Sequence, residues 1–404
     1  MQLHVRMAGR DPAQTHRAST PLELFFDLTF VVAVSQAAAG LHHGLVAGDA
    51  AEALVGFPLV FFAIWWAWMQ FTWFASAYDT DDVPYRLAVL LQLTGVLVLA
   101  AGVPRALNDR DFGITTLGYV MMRLAIVGQW LRAAASHPDG RACALRYAAG
   151  ITLAQVGWVL RLALPDTAAA VAFFGLVAVE LAVPFWAEGA GRTPWHPGHI
   201  AERFGLFTLI VLGESVLSAT VGVQVALDGR ARFADLAPVV IGGILIVFCM
   251  WWLYFEMPTE RAVARIRADF TERLSGGFVW GYGHYVVLAT AAAVGAGLAV
   301  AVDQATHHSG LTDSQAGLAI TVPVTVFILI VWALHYGDKA PGPLRAFAVP
   351  AAAVLVLAST FTPEPVLATG FVLTALIGAG VVILADRAER PAPASVGAGA
   401  APGE

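Results

Sequence analysis

The chain has 404 residues, of which 58% are hydrophobic and only 13% charged, with a mean hydropathy of +0.71. Soluble globular domains carry about a quarter charged residues, so this balance excludes that class and points to a membrane protein. A net charge of −6 gives no sign of a nucleic-acid partner, and none is expected.

Apolar runs about twenty residues long alternate with short charged or Gly/Pro-bearing loops, and strand alternation is absent. The expected fold is an all-α polytopic transmembrane bundle of about twelve helices. The spans predicted are 22–44, 51–77, 84–107, 112–135, 142–164, 167–188, 200–226, 234–257, 275–302, 314–337, 344–361 and 364–386. Residues 1–20 form a tail with Arg6, Arg10 and Arg17 and no apolar core before a cleavage site, so a cytoplasmic tail is expected and not a signal peptide. Thr20, Pro21 and Glu23 then spell a capping box at the first helix. Asp27 stands one turn further, on the face of Glu23, where capping cannot account for it. In the second helix the run Trp65 to Trp73 predicts an aromatic belt at the membrane interface.

Arg123 in the fourth span and Glu180 in the sixth are charges at membrane depth. Residues 21–190 make up a first six-helix half. The second half, 191–386, opens with the stretch HIAERFGLFTLIVLGES from His199, which carries Glu202 and Arg203 at its start and Glu214 about twelve residues further in. At about 1.5 Å per residue that places Glu214 some 18 Å deeper, near the centre of a hydrocarbon core about 30 Å thick. A carboxylate there costs about 3 kcal/mol or more unless it faces the bundle interior with a partner. Glu214 shares a helical stripe with Arg203 and Ser218, and Ser215 lies beside it. In the ninth span Gly276, Gly277, Gly281 and Gly283 surround Tyr282, His284 and Tyr285; small residues here predict close helix packing or an unwound segment. The tail 387–404 is Pro-, Ala- and Gly-rich and is expected to be disordered.

Assigning alternate loops to alternate sides, 17 of the 23 Lys and Arg residues fall on one side and five on the other. The loop 258–273 is the strongest marker, and both termini are expected in the cytoplasm. Glu23 aligns with Glu202, Phe25 with Phe204, Thr29 with Thr208 and Val32 with Val211, which suggests a 6+6 parallel repeat about an axis along the membrane normal. Cys143 and Cys249 read as packing residues. The pairs His42-His43 and His307-His308 lack the ligand spacing of a metal site, and neither a metal nor a cofactor is expected.

The stretches ELFFDLTFVVAVSQ (23–36), HIAERFGLFTLIVLGES, WWLYFE (251–256) and SGGFVWGYGHY (275–285) resemble the bacterial low-temperature-requirement A family of integral membrane proteins. The resemblance implies a multi-pass cell-membrane protein and a link to growth in the cold, and it carries no settled biochemical activity.

Glu214, Arg123, Glu180, His284, Asp27, Ser215 and Ser218 form the expected intramembrane polar site, with Glu23, His199, Glu202 and Arg203 at its cytoplasmic entrance. Arg123 stays charged, whereas an imidazole such as His284 changes charge near neutral pH, as proton coupling requires. The expected partner of Glu214 is Arg123 or His284. These features fit a proton-coupled secondary transporter, with the lipid bilayer and a small molecule or ion as partners. Competing readings are a membrane enzyme acting on a lipid or polyprenyl substrate with Asp27, Glu202 and His199 as acid/base groups, and a non-catalytic envelope factor.

Overall fold

A computed structural model describes residues 3–11, 14, 17–228, 232–256, 274–335 and 343–389. The basic loop 258–273, the tail beyond 389 and the side chains of Ser218, Gly276 and Gly277 lie outside the described residues, and the expectations placed on them stay with the sequence. The described residues form twelve helices and no strands: α1 (Pro21–Ala47), α2 (Ala50–Tyr78), α3 (Val83–Asn108), α4 (Gly113–Ser136), α5 (Arg141–Arg161), α6 (Asp166–Glu188), α7 (Pro197–Leu227), α8 (Phe233–Phe255), α9 (Leu274–Ala305), α10 (Asp313–His335), α11 (Pro343–Ser359) and α12 (Pro365–Glu389). Ten of them have the length and apolar composition to cross a bilayer.

Local chemistry sets the first helix as expected. Thr20 Oγ1 accepts from the Glu23 N–H at 3.3 Å, and Glu23 Oε2 accepts from the Thr20 N–H at 2.8 Å, closing the capping box. The helix ends at Gly48, whose φ of +91° is a left-handed conformation that glycine adopts without a Cβ clash. α9 runs without interruption through its glycines, so the close-packing expectation holds there and the unwound one does not. A methyl group at Gly283 would meet Leu334 of α10, and one at Gly297 would overlap the Ala319 backbone of the same helix. In lipid, where apolar burial gives little drive for helices to associate, this close approach supplies the packing attraction.

α1 packs on α2, α3, α7 and α9, which places it between the first six helices and the last six. The neighbour relations α1–α2, α1–α3, α3–α4, α4–α5 and α5–α6 recur six helices later as α7–α8, α7–α9, α9–α10, α10–α11 and α11–α12. Asp27 meets Arg203 near the starts of α1 and α7, and Ser35 meets Glu214 further along both, so the two helices run in the same direction. The residues aligned from the sequence nevertheless differ in surroundings. Phe25 and Val32 are exposed while Phe204 and Val211 are fully buried, because α1 turns those positions outward and α7 turns them into the bundle.

The tryptophans of α2 are not an interfacial belt. Trp65, Trp66 and Trp68 are at most 1% exposed and Trp73 is buried. A belt needs rings at the lipid surface; Trp66, Trp68 and Trp73 instead turn their indole N–H groups toward buried carboxylates.

The buried ionic core as candidate functional site

Three indoles of α2 point at three acids on different sides of the helix. Trp68 Nε1 donates to Asp27 Oδ1 at 2.6 Å, Trp66 Nε1 to Glu180 Oε2 at 2.9 Å, and Trp73 Nε1 to Glu188 Oε1 at 3.4 Å. Trp66 and Trp68 are two residues apart, about 200° around the helix, so α2 stands between two ionic centres.

The first centre joins α1 to α7. Arg203 grips Asp27 through two parallel bonds, Nε to Oδ2 at 2.8 Å and Nη2 to Oδ1 at 2.5 Å, with both side chains fully buried. This fork-to-carboxylate geometry is the strongest form of ion pair. Glu23 Oε1 faces three cationic groups or groups that can become so: His199 Nε2 at 3.1 Å, Arg203 Nη1 at 3.3 Å and Arg17 Nη2 at 3.6 Å. Arg17 also donates to the Ala75 carbonyl at 2.7 Å and to that of Ser76, and the Ser19 N–H donates to Glu202 Oε1 at 3.1 Å. The N-terminal segment therefore lies across the ends of α2 and α7.

The second centre joins α2, α4, α5 and α6. Glu180 accepts from Arg123 Nη2 at 2.9 Å and Trp158 Nε1 at 3.1 Å on Oε1, and from Trp66 and, at 3.3 Å, Gln70 Nε2 on Oε2. Arg123 further donates to Tyr119 Oη at 2.7 Å and to Gln70 Oε1.

The partner expected for Glu214 from the sequence is Arg123 or His284. Arg123 is instead engaged by Glu180, because α4 packs on α3 and α5 and faces the first half. The bond described for Glu214 comes from Ser35 Oγ of α1 at 2.7 Å, and Glu214 is half-buried. His284 bonds the Trp280 carbonyl at 2.8 Å and Tyr254 Oη at 3.1 Å, while Ser215 donates to the Ala291 carbonyl at 3.1 Å. Four residues outside the expected site prove to be placed in polar contacts. Ser35 bonds Glu214; His42 Nε2 lies 2.7 Å from Asp303 Oδ2, tying the far end of α1 to α9; and Glu188 accepts from Tyr147 Oη at 3.0 Å and Thr193 Oγ1 at 2.6 Å. Among the described residues no group of three His, Cys, Asp or Glu side chains could hold a metal ion.

Beside the N-terminal segment two loop carboxyls respond to pH in opposite senses. Asp82 is buried, which opposes ionisation. Hydrogen bonds from Arg132 and from the Val5 and Tyr85 N–H groups outweigh this and hold its carboxyl at about 2. Asp79, which caps α2, is pushed up to about 6 by burial and by the charge of Glu23, against the pull of Arg17 and Arg10. An ordinary aspartate titrates near 4, so between about 4 and 6 the folded protein holds a proton at Asp79 that the unfolded chain has lost. Stability from this group is fully present below about 4 and falls as pH rises through 6. For Asp82 stability is present above about 4 and is lost as pH falls through 2. Asp79→Asn should therefore flatten the decline in thermal midpoint of the purified protein between pH 4.5 and 7; an equal decline in both proteins would count against this assignment.

A helical bundle with this many apolar spans and paired charges in its interior is a polytopic membrane protein. The family described as bacterial low temperature requirement A protein (LtrA) matches residues 18–385, and the chain belongs to that family. It is also similar to the uncharacterized protein RA0937 of Rhizobium meliloti (strain 1021), with 27% identity over 304 residues that span 70% of this chain and 69% of that one.

Proposed function

We propose that the protein is a proton-coupled secondary transporter of a small molecule or ion in the cell membrane, with two six-helix halves in parallel repeat and both termini cytoplasmic. The observation that carries this reading is that α1 meets the second half at three levels, each with a titratable group. These are Glu23 and Asp27 with His199 and Arg203, then Ser35 with Glu214, then His42 with Asp303. Counted along α1 the levels lie about 12 Å and 10 Å apart, which together cover most of a hydrocarbon core. The recurring neighbour relations and the shared direction of α1 and α7 support the repeat.

The two outer levels each pair an imidazole with a carboxylate. His42 faces Asp303 at one end and His199 faces Glu23 at the other, and an imidazole–carboxylate contact is of the kind that a proton can make or break. Glu214, between them, accepts from Ser35. Proton-sensitive contacts at both ends of one helix are what alternating access between two halves would use. The enzyme reading is less well supported, since Asp27 and His199 are fully buried and Glu202 is held by Ser19 beneath the N-terminal segment.

Spin labels at the outer ends of α1 and α9 should report a distance that changes between pH 8 and pH 5.5 in reconstituted wild-type protein. Glu214→Gln should abolish the change at an unaltered thermal midpoint. A wild-type distance that ignores pH would sink the proposal, and a Glu214→Gln protein that still moves but melts earlier would make Glu214 a structural group only.

A further inference from the structure

Against the second ionic centre lies a recess that no part of the transport reading uses. It is a half-open groove between α2, α3, α4, α5 and α6, with about 580 Å³ of space when its open side is included. Its walls are apolar and aromatic, including Phe62, Leu99, Trp158 and Phe173. The deepest lining residues on α2 and α3, Ala63 and Leu99, stand thirteen and nine positions from the helix ends at the mouth, so the recess reaches about 14–20 Å along the bundle.

One cation stands at the mouth. Arg161, the last residue of α5, has its guanidinium 4.7 Å from the Phe112 ring and 5.3 Å from the Phe173 ring, and its Nε donates to the Ala169 carbonyl at 2.8 Å. No carboxylate among the described residues comes within ion-pair distance of it, in contrast to Arg123 and Arg203. Two aromatic rings and a backbone carbonyl fix the plane of the guanidinium, leaving both terminal nitrogens for an anion. An apolar slot of this depth with an oriented, uncompensated cation at its rim matches a molecule with a hydrocarbon tail and an anionic head.

We propose that this recess binds a membrane lipid with an anionic phosphate headgroup, its acyl chain among the aromatic residues and its phosphate on Arg161. The inner wall of the site is formed by Tyr119 and Trp158, and both are bonded to the Arg123–Glu180 pair, through Arg123 Nη2 and Glu180 Oε1. A bound chain would rest directly on the groups that hold α2, α4 and α6 together, so occupancy should stiffen the first half.

The test uses the full-length protein, delipidated in detergent and titrated with phosphatidylglycerol, phosphatidylcholine or inorganic phosphate. Native mass spectrometry reads retained lipid and thermal unfolding reads the consequence. Phosphatidylglycerol should be retained at least tenfold better than phosphatidylcholine and should raise the unfolding midpoint. Arg161→Gln should remove the preference by about the tenfold that one charge-assisted contact represents. Ala63→Phe, which fills the recess without touching the cation, should block both lipids. Equal retention of the two lipids by the wild type, or phosphatidylglycerol binding unchanged in both variants, would overturn the proposal. So would a stabilisation by inorganic phosphate that matches that by the lipid, since the acyl chain would then contribute nothing. None of these readouts depends on transport, so the lipid site and the transport reading can fail independently.

Discussion

Arg203→Ala is expected to destabilise the protein by about 3–5 kcal/mol, the range for removing one partner of a buried ion pair. Arg203 is the only described cation bonded to Asp27, and it also lies 3.3 Å from Glu23. Truncation leaves Asp27 fully buried with a single donor, Trp68. The remaining carboxylate must either stay charged in an apolar surround or take up a proton, and both states lie above the paired one. Removing both charges is a different matter. Asp27→Leu with Arg203→Met replaces an expensive pair by packing and should recover most of the lost stability. Chromatography of heated detergent extracts would decide it: if Arg203→Ala melts with the wild type, the fork-to-carboxylate pair does not hold α1 to α7.

A similar loss is expected at the second centre, with a twist that the geometry dictates. Glu180→Gln keeps the shape of the side chain, yet both oxygens of Glu180 are in use, each accepting two donors. An amide offers one carbonyl and turns its NH₂ on the other two donors, so the glutamine variant should be nearly as damaging as Glu180→Leu, at about 3 kcal/mol or more. Adding Arg123→Met to Glu180→Leu should restore part of the stability, while the Trp66 and Trp158 N–H groups stay without their acceptor. A Glu180→Gln protein as stable as the wild type would mean that neither the charge nor the set of four donors matters to stability at this site, and the four-donor account would fail.

What the sequence makes legible here is what is local. The capping box at Thr20 and Glu23 is four adjacent residues whose chemistry is complete without the rest of the chain, and the spans follow from hydropathy over about twenty residues. The inward placement of Asp27, Arg123, Glu180 and Arg203 also follows from the cost of exposing charge to lipid. Partner choice does not, because it depends on which helices become neighbours. Arg203 and Glu214 share a stripe on α7, yet Arg203 serves Asp27 while Glu214 takes Ser35, eight residues further along α1. His42 and Asp303 carried a readable clue, a titratable residue at the same end of two spans, but 261 positions separate them. The tryptophans misled because composition gives a ring's preference for interfaces and says nothing of where its N–H points.

The N-terminal segment has a consequence for how the molecule is made. Val5 is bonded to Asp82 and Arg132, Arg10 to the Ala77 carbonyl, Gln14 to His196, and Ser19 to Glu202. Residues 5–19 leave the ribosome before all of these partners, and the last of them sits beyond six inserted helices. This segment is synthesised before its partners and is thus among the last to be fastened, and it can be fastened only where α2, α4 and α7 have already come together. It closes like a clasp on the assembled bundle: a half-built bundle presents no complete set of anchors, and residues 5–19 would remain open to proteases until the seventh helix arrives.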